Sequence, residues 1–303
     1  MLTEIQNNPN VAKFWWHITN VCQYACSYCP DIAHNGSYKW PEYENSKRLL
    51  TDVYNHYLAR DKHLILIFSG GEPTACPYLK DLIEHGKNLG SNLTVGIVSN
   101  GVRSIKYWES LMPCVDNVIL SCHYEYVDLQ HFMAVARLLK DKLKTINCCI
   151  DPKEYDKCMQ MYRQLKSMDL PVLAKPIVSP DSFTETTNFN NEYSAPQKEM
   201  LMKEENKSIS IKVIRNGKDH KSEHVHNLIT NNENKFFGWK CNTGLESVSV
   251  FFNQIFKSEC RQGGMIGNLQ VGYWELDRLD TPQICQKNTC SCISDIAISK
   301  VSQ

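Results

Sequence analysis

The sequence predicts an α/β protein: a parallel sheet of six strands, curled into a partial (β/α)6 barrel, followed by a small unit containing a β-hairpin. Three observations lead there. Between residues 14 and 178, six short runs rich in β-branched and aromatic residues alternate with five longer helical patterns, the order expected of βα units. One of those patterns carries a clear apolar stripe. Right-handed crossovers between parallel strands then curl the sheet.

Taken in order, the strands are FWWHIT (14–19), HLILIF (63–68), LTVGIVS (93–99), NVILSC (117–122), TINCCI (145–150) and PVLAKPIV (171–178). Helices are expected near 45–59, 76–89, 104–112, 128–141 and 153–168. In the fourth, Leu129, Phe132, Met133, Val135, Ala136 and Leu139 fall on one face, the stripe of a helix that packs on a sheet. After Pro180 the apolar periodicity fades. Asn, Glu, Lys, Ser and Thr dominate 181–208 and 216–235, which read as connecting segments, a solvated linker in preference to part of a substrate-facing lid. The expected organisation is a barrel over 10–180, a polar connection over 181–237 and a cysteine-rich unit over 238–303.

Lys plus Arg and Asp plus Glu number 33 each, so the chain lacks the broad charge that captures nucleic acid or anionic lipid. The balance favours a small-molecule or peptide substrate over nucleic acid. The longest apolar runs are about five residues, against roughly 20 for a membrane span, and the N-terminus does not read as a signal peptide. A cytoplasmic location is expected, where thiols stay reduced. That makes the 14 cysteines informative. A chain of this length needs no disulfides to hold a core; in a reducing compartment, clustered cysteines serve metal or redox chemistry.

The first cluster, VCQYACSYCP (21–30), spaces Cys22, Cys26 and Cys29 just after the first strand. Three thiolates in an irregular loop suit one four-iron cluster with an open iron. A zinc loop with His34 as fourth ligand is the other metal reading. The second cluster comprises Cys241, Cys260, Cys285, Cys290 and Cys292, the first two flanking a predicted hairpin turned at Asn253. Four of these five suit a fully protein-ligated iron–sulfur cluster, and a structural zinc site is the rival. Of the remaining six, Cys76, Cys114, Cys148, Cys149 and Cys158 read as small buried hydrophobes. Cys122 stands apart because it ends the fourth strand, where a catalytic group would face a cofactor. Lys175 is the second catalytic candidate, a cation on an inner strand that needs an anionic partner.

Cys-x3-Cys-x2-Cys after a first strand, SGGEPT (69–74) after the second and SNG (99–101) after the third together resemble the radical S-adenosylmethionine (radical SAM) superfamily over about residues 10–180. The resemblance implies that Cys22, Cys26 and Cys29 hold a [4Fe-4S] cluster whose open iron binds S-adenosylmethionine. It also assigns cofactor contacts. Gly70 and Gly71 would let the backbone approach the methionyl group, Glu72 would hold its ammonium, and Pro73 would stiffen the turn. Ser99 and Asn100 would reach the carboxylate or ribose, and Tyr28 would present its backbone to the adenine. The C-terminal cysteines resemble a Twitch domain, the shortened SPASM-type unit that holds an auxiliary [4Fe-4S] cluster; among Cys285, Cys290 and Cys292, the favoured closing pair is Cys290 with either Cys285 or Cys292. The implied activity is reductive cleavage of S-adenosylmethionine to a 5′-deoxyadenosyl radical that abstracts hydrogen from substrate. The auxiliary cluster would assist a net oxidation or rearrangement, and a reduced flavodoxin or ferredoxin would supply electrons. Modification of a ribosomally made peptide is the alternative, made less favoured by the first cluster's starting at residue 22. A reading of another class is a metal-stabilised binding protein without turnover.

Overall fold

The computed structural model describes residues 2–177, 192–205, 210–290 and 292–303. All six predicted strands form. They are β2 (Val11–Thr19), β3 (His63–Gly70), β4 (Leu93–Ser99), β5 (Asn117–His123), β6 (Leu143–Ile150) and β7 (Val172–Pro176), preceded by β1 (Leu2–Gln6). From β2 to β7 each strand pairs in parallel with the next in sequence. Val178, at the end of the sixth predicted run, lies outside the described residues. The intervening helices are α1 (Tyr43–Leu58), α2 (Leu79–Leu89), α3 (Ile105–Leu111), α4 (Leu129–Leu138) and α5 (Tyr155–Lys166). Their starts follow local capping chemistry: the Ser104 hydroxyl accepts the Tyr107 N–H, and the Asp128 carboxylate accepts those of Gln130 and His131, which satisfies first-turn donors that lack helical partners.

Side-chain parity along the strands decides what faces what. On β2, Phe14, Trp16 and Ile18 are fully buried, while Lys13, Trp15 and His17 between them are partly exposed. Each barrel strand repeats this alternation at least in part, and the fully buried set shares one core with the helix residues Leu49, Val53, Leu82, Phe132 and Leu165. The other set lines the concave face, as the two-residue period of a strand requires.

The remaining elements match expectation only in part. Residues 210–236, read as part of a polar connection, build β8 (Ser210–Arg215), β9 (Asp219–His224) and α7 (Val225–Thr230), after α6 (Ala195–Glu205). Residues 181–191, the first part of the possible lid, lie outside the described residues. The C-terminal elements are β10 (Lys240–Cys241), β11 (Ser247–Phe251), β12 (Gln254–Phe256), β13 (Gly267–Asn268), β14 (Tyr273–Trp274), β15 (Gln283–Ile284), α8 (Ile293–Ile296) and β16 (Lys300–Val301). The predicted hairpin is β11–β12, but it does not stand apart. β11 lies parallel to β2, Val248 opposite Phe14 and Phe251 opposite His17, so the hairpin with β13 and β14 extends the barrel sheet to ten strands. The sheet is not closed. A second sheet, in the order β15-β10-β16-β1-β8-β9, covers its own small core of Leu2, Ile5, Val213, Leu228, Phe236 and Ile296. It unites the first residues of the chain with the last.

Candidate active site

The end of β2 runs into a loop that carries Cys22, Cys26 and Cys29, and Asn20 builds that loop. Its buried amide donates to the Ile32 carbonyl and the Asn35 side chain, both at 2.8 Å, and to the Ser37 hydroxyl, while its oxygen accepts the Tyr38 N–H at 2.7 Å. No motif marks this residue in the sequence. The loop tightens further through a Cys29 N–H to Cys26 carbonyl bond of 2.9 Å. Burial pushes the Cys26 thiol up to about 12 and Cys29 to about 11, and raises Cys22 as well. Bare thiolates are costly there, and a bound cation offsets that cost. His34 Nε2 lies 3.3 Å from the Cys29 carbonyl oxygen, so its ring is directed at backbone.

The turn after β3 packs directly on this loop. Gly70 has φ +130°, and a Cβ there would sit 2.3 Å from the Thr19 oxygen; one on Gly71 would sit 2.6 Å from the Val21 oxygen. These glycines are therefore required by the chain's own cysteine loop. The Gly71 N–H donates to Thr19 O at 2.7 Å and the Glu72 N–H to Val21 O at 2.8 Å. Pro73 starts a short 3-10 turn. Glu72 is 1% exposed. Its Oε1 accepts from the Thr74 N–H, the Thr74 hydroxyl and the Ser99 hydroxyl (2.8 Å), and its Oε2 from the Asn100 N–H at 2.8 Å. Burial raises its carboxyl above the usual range against these bonds. The Asn100 side-chain amide lies 3.8 Å from Cys22 Sγ, in donating geometry. Three motifs distant in sequence thus meet at the C-terminal ends of β2, β3 and β4.

The loop after β5 braces the cysteine loop from the other side. Glu125 accepts the Ser27 N–H at 2.8 Å and also its hydroxyl, and the Tyr126 hydroxyl donates to Ala25 O at 3.1 Å. Tyr24 stacks on Tyr126, with ring centroids 5.4 Å apart. The Tyr28 side chain stacks on His123, its hydroxyl 2.6 Å from Nδ1. Burial lowers the His123 imidazole to about 4 and pushes the Tyr28 phenol up.

The two catalytic candidates fare differently. Cys122 is fully buried, with its sulfur 3.4 Å from Met161 Sδ of α5. It shares a face with Val118 and Leu120, under the helices, so it does not face the concave side; His123 does. Lys175 lies on the concave face of β7, opposite Cys149 in register.

Cys241, Cys260, Cys285 and Cys290 line one cavity together with Phe236, Gln262, Asp295 and Lys300. β10 presents Cys241, the segment after β12 presents Cys260 and the segment after β15 presents Cys285. Asn234 fixes Cys290 reciprocally, accepting and donating backbone bonds of 2.8 Å. Cys292 does not line this cavity. It precedes α8, and its thiol points to Glu259 at 3.0 Å and the Ser294 hydroxyl at 2.8 Å. Glu259 in turn meets His17 Nε2 at 2.8 Å, tying α8 to the concave face of β2.

Residues 16–124 match the family model described as the Radical SAM superfamily. None of the curated proteins matches the sequence. Among solved structures, the chain is similar to native anSMEcpe with bound AdoMet, at 15% identity over 86% of this chain and 78% of that one, with a TM-score of 0.58. It is also similar to Streptococcus suis SuiB bound to S-adenosylmethionine, at 11% identity over 89% of this chain and 64% of that one, with a TM-score of 0.51. At these identities the likeness is one of fold.

Proposed function

We propose that the chain is a radical SAM enzyme with two [4Fe-4S] clusters, acting on a small molecule in a net oxidation or rearrangement. One observation carries the reading. The cysteine loop, the Gly-Gly-Glu turn and the Ser-Asn-Gly turn are hydrogen-bonded into a single floor at the C-terminal ends of three adjacent strands, where folds of this kind place their reacting groups.

Cys22, Cys26 and Cys29 would hold the first cluster. The buried thiols, which resist ionisation without a cation, and the Asn100 amide beside Cys22 both fit a cluster at this point. Bound together, the cluster and S-adenosylmethionine would supply one electron and a 5′-deoxyadenosyl radical, which is the hard chemistry of the reaction. The chain orients and encloses. Glu72 braces the two turns; its Oε1 is filled by three donors, and the lone pair left on Oε2 is what it has to offer an ammonium group. The aromatic wall of Tyr24, Tyr28, His123 and Tyr126 limits water on one side. Ser69, His17 and Lys175 stand on the concave face where a small substrate would sit.

Cys241, Cys260, Cys285 and Cys290 would hold the auxiliary cluster, which would supply a one-electron acceptor. Four thiols lining one cavity are the ligand set that a fully protein-held four-iron cluster takes. A reduced flavodoxin or ferredoxin is the electron source we expect. The test is anaerobic reconstitution with iron and sulfide, then incubation with S-adenosylmethionine and dithionite. Slow release of 5′-deoxyadenosine without substrate supports the proposal, and none, even with candidate substrates present, contradicts it.

A further inference from the structure

We infer that Lys300 is a positioning charge for the auxiliary site: a buried cation set beside the four-cysteine cavity so that a cluster held there takes up an electron more readily. The inference rests on reading that cavity as a cluster site.

Lys300 is 3% exposed and forms part of the cavity lining. Its Nζ donates to the carbonyl oxygens of Asp295 (2.7 Å), Ile296 (2.9 Å) and Ile298 (2.9 Å). Three acceptors use all three N–H groups of an ammonium; a neutral amine has only two to give. The Phe236 ring lies 4.7 Å below the nitrogen, an arrangement that also suits a cation. The charge has no carboxylate within salt-bridge distance among the described residues. Asp295, the nearest in sequence, turns its carboxylate to the Cys260 N–H.

Asp295, whose carboxylate lines the same cavity and interacts with the Lys300 charge, offsets part of the cost of burying this cation. The thiols of the cavity offer the rest. Cys241 stands opposite Lys300 across the β10–β16 pair, and Cys260, Cys285 and Cys290 complete the ring. Four thiolates around a [4Fe-4S] core carry net negative charge, and reduction adds one unit more. A fixed cation in a poorly screened interior therefore favours the reduced form. The Gln262 amide, 3.4 Å from Cys285 Sγ in donating geometry, acts in the same direction.

The test uses the full chain with Cys22, Cys26 and Cys29 all replaced by alanine, so that only the auxiliary site can titrate. Metal analysis first shows whether about four irons per chain remain; their absence would overturn the cluster reading itself, and this inference with it. The midpoint potential is then read by EPR-monitored redox titration. Lys300→Gln, which keeps two donors, and Lys300→Met should each shift the potential to more negative values. Lys300→Arg should hold it near that of the Lys300 protein. Either charge-removing variant suffices if the other loses its iron. An unchanged or more positive potential on loss of the charge overturns the role of Lys300 while leaving the cluster assignment standing.

Discussion

The Glu72 carboxylate accepts the Asn100 backbone N–H at 2.8 Å, so the turn after β3 and the turn after β4 form one rigid piece. Replacing Glu72 by alanine strands four buried donors. We predict a loss of about 3 kcal/mol in unfolding free energy, since each unmet buried group costs roughly 1–3 kcal/mol and the site relaxes in part. Glu72→Gln, which keeps an acceptor, should lose less. Chemical denaturation compares the two.

Gly71 is set by the cysteine loop, because a Cβ there would lie 2.6 Å from the Val21 carbonyl oxygen. Gly71→Ala should push that loop outward and empty the first site while sparing the second. Iron should fall from about eight per chain to about four. Retention of about eight irons would show that the loop gives way without losing its ligands.

The C-terminal cysteines can be sorted the same way. Cys290 lines the cavity and Cys292 does not. Cys290→Ala should therefore bring iron down to about four per chain, and Cys292→Ala should leave it unchanged. The reverse pattern would reassign the fourth ligand.

His123 gives a pH signature. Burial lowers its folded-state value to about 4, against roughly 6.5 in an unfolded chain. Between those values the unfolded state binds more protons, so stability rises with pH across the window and is lost as pH falls from about 6.5 toward 4. Thermal unfolding between pH 5.5 and 7.5 should show this slope, and His123→Gln should flatten it.

Much of the barrel was legible because its strands and helices keep their periods over single segments: the alternation along FWWHIT and the stripe on Leu129–Leu138 need no partner to be seen. The same parity bears on Cys122. Val118, Leu120 and Cys122 share a face, and the apolar pair already placed that face under the helices, leaving His123 on the open side. What was hidden is non-local. Asp219–His224 reads DHKSEH and has no apolar alternation; it is a strand because β8 pairs with it. Nothing in Ser247–Phe251 announced that it would lie beside β2. The three motifs of the candidate site were visible one by one, while Glu72 as the brace between two of them, and Asn20 as the anchor of the third, depend on contacts that only the fold makes.

We predict that S-adenosylmethionine is cleaved at the Cys22–Cys26–Cys29 loop. The most direct measurement is 5′-deoxyadenosine released under dithionite by the wild-type chain, Cys26→Ala and Cys241→Ala, each anaerobically reconstituted. Release is expected from the wild type, none from Cys26→Ala and some from Cys241→Ala. Equal release from Cys26→Ala and the wild type would contradict it.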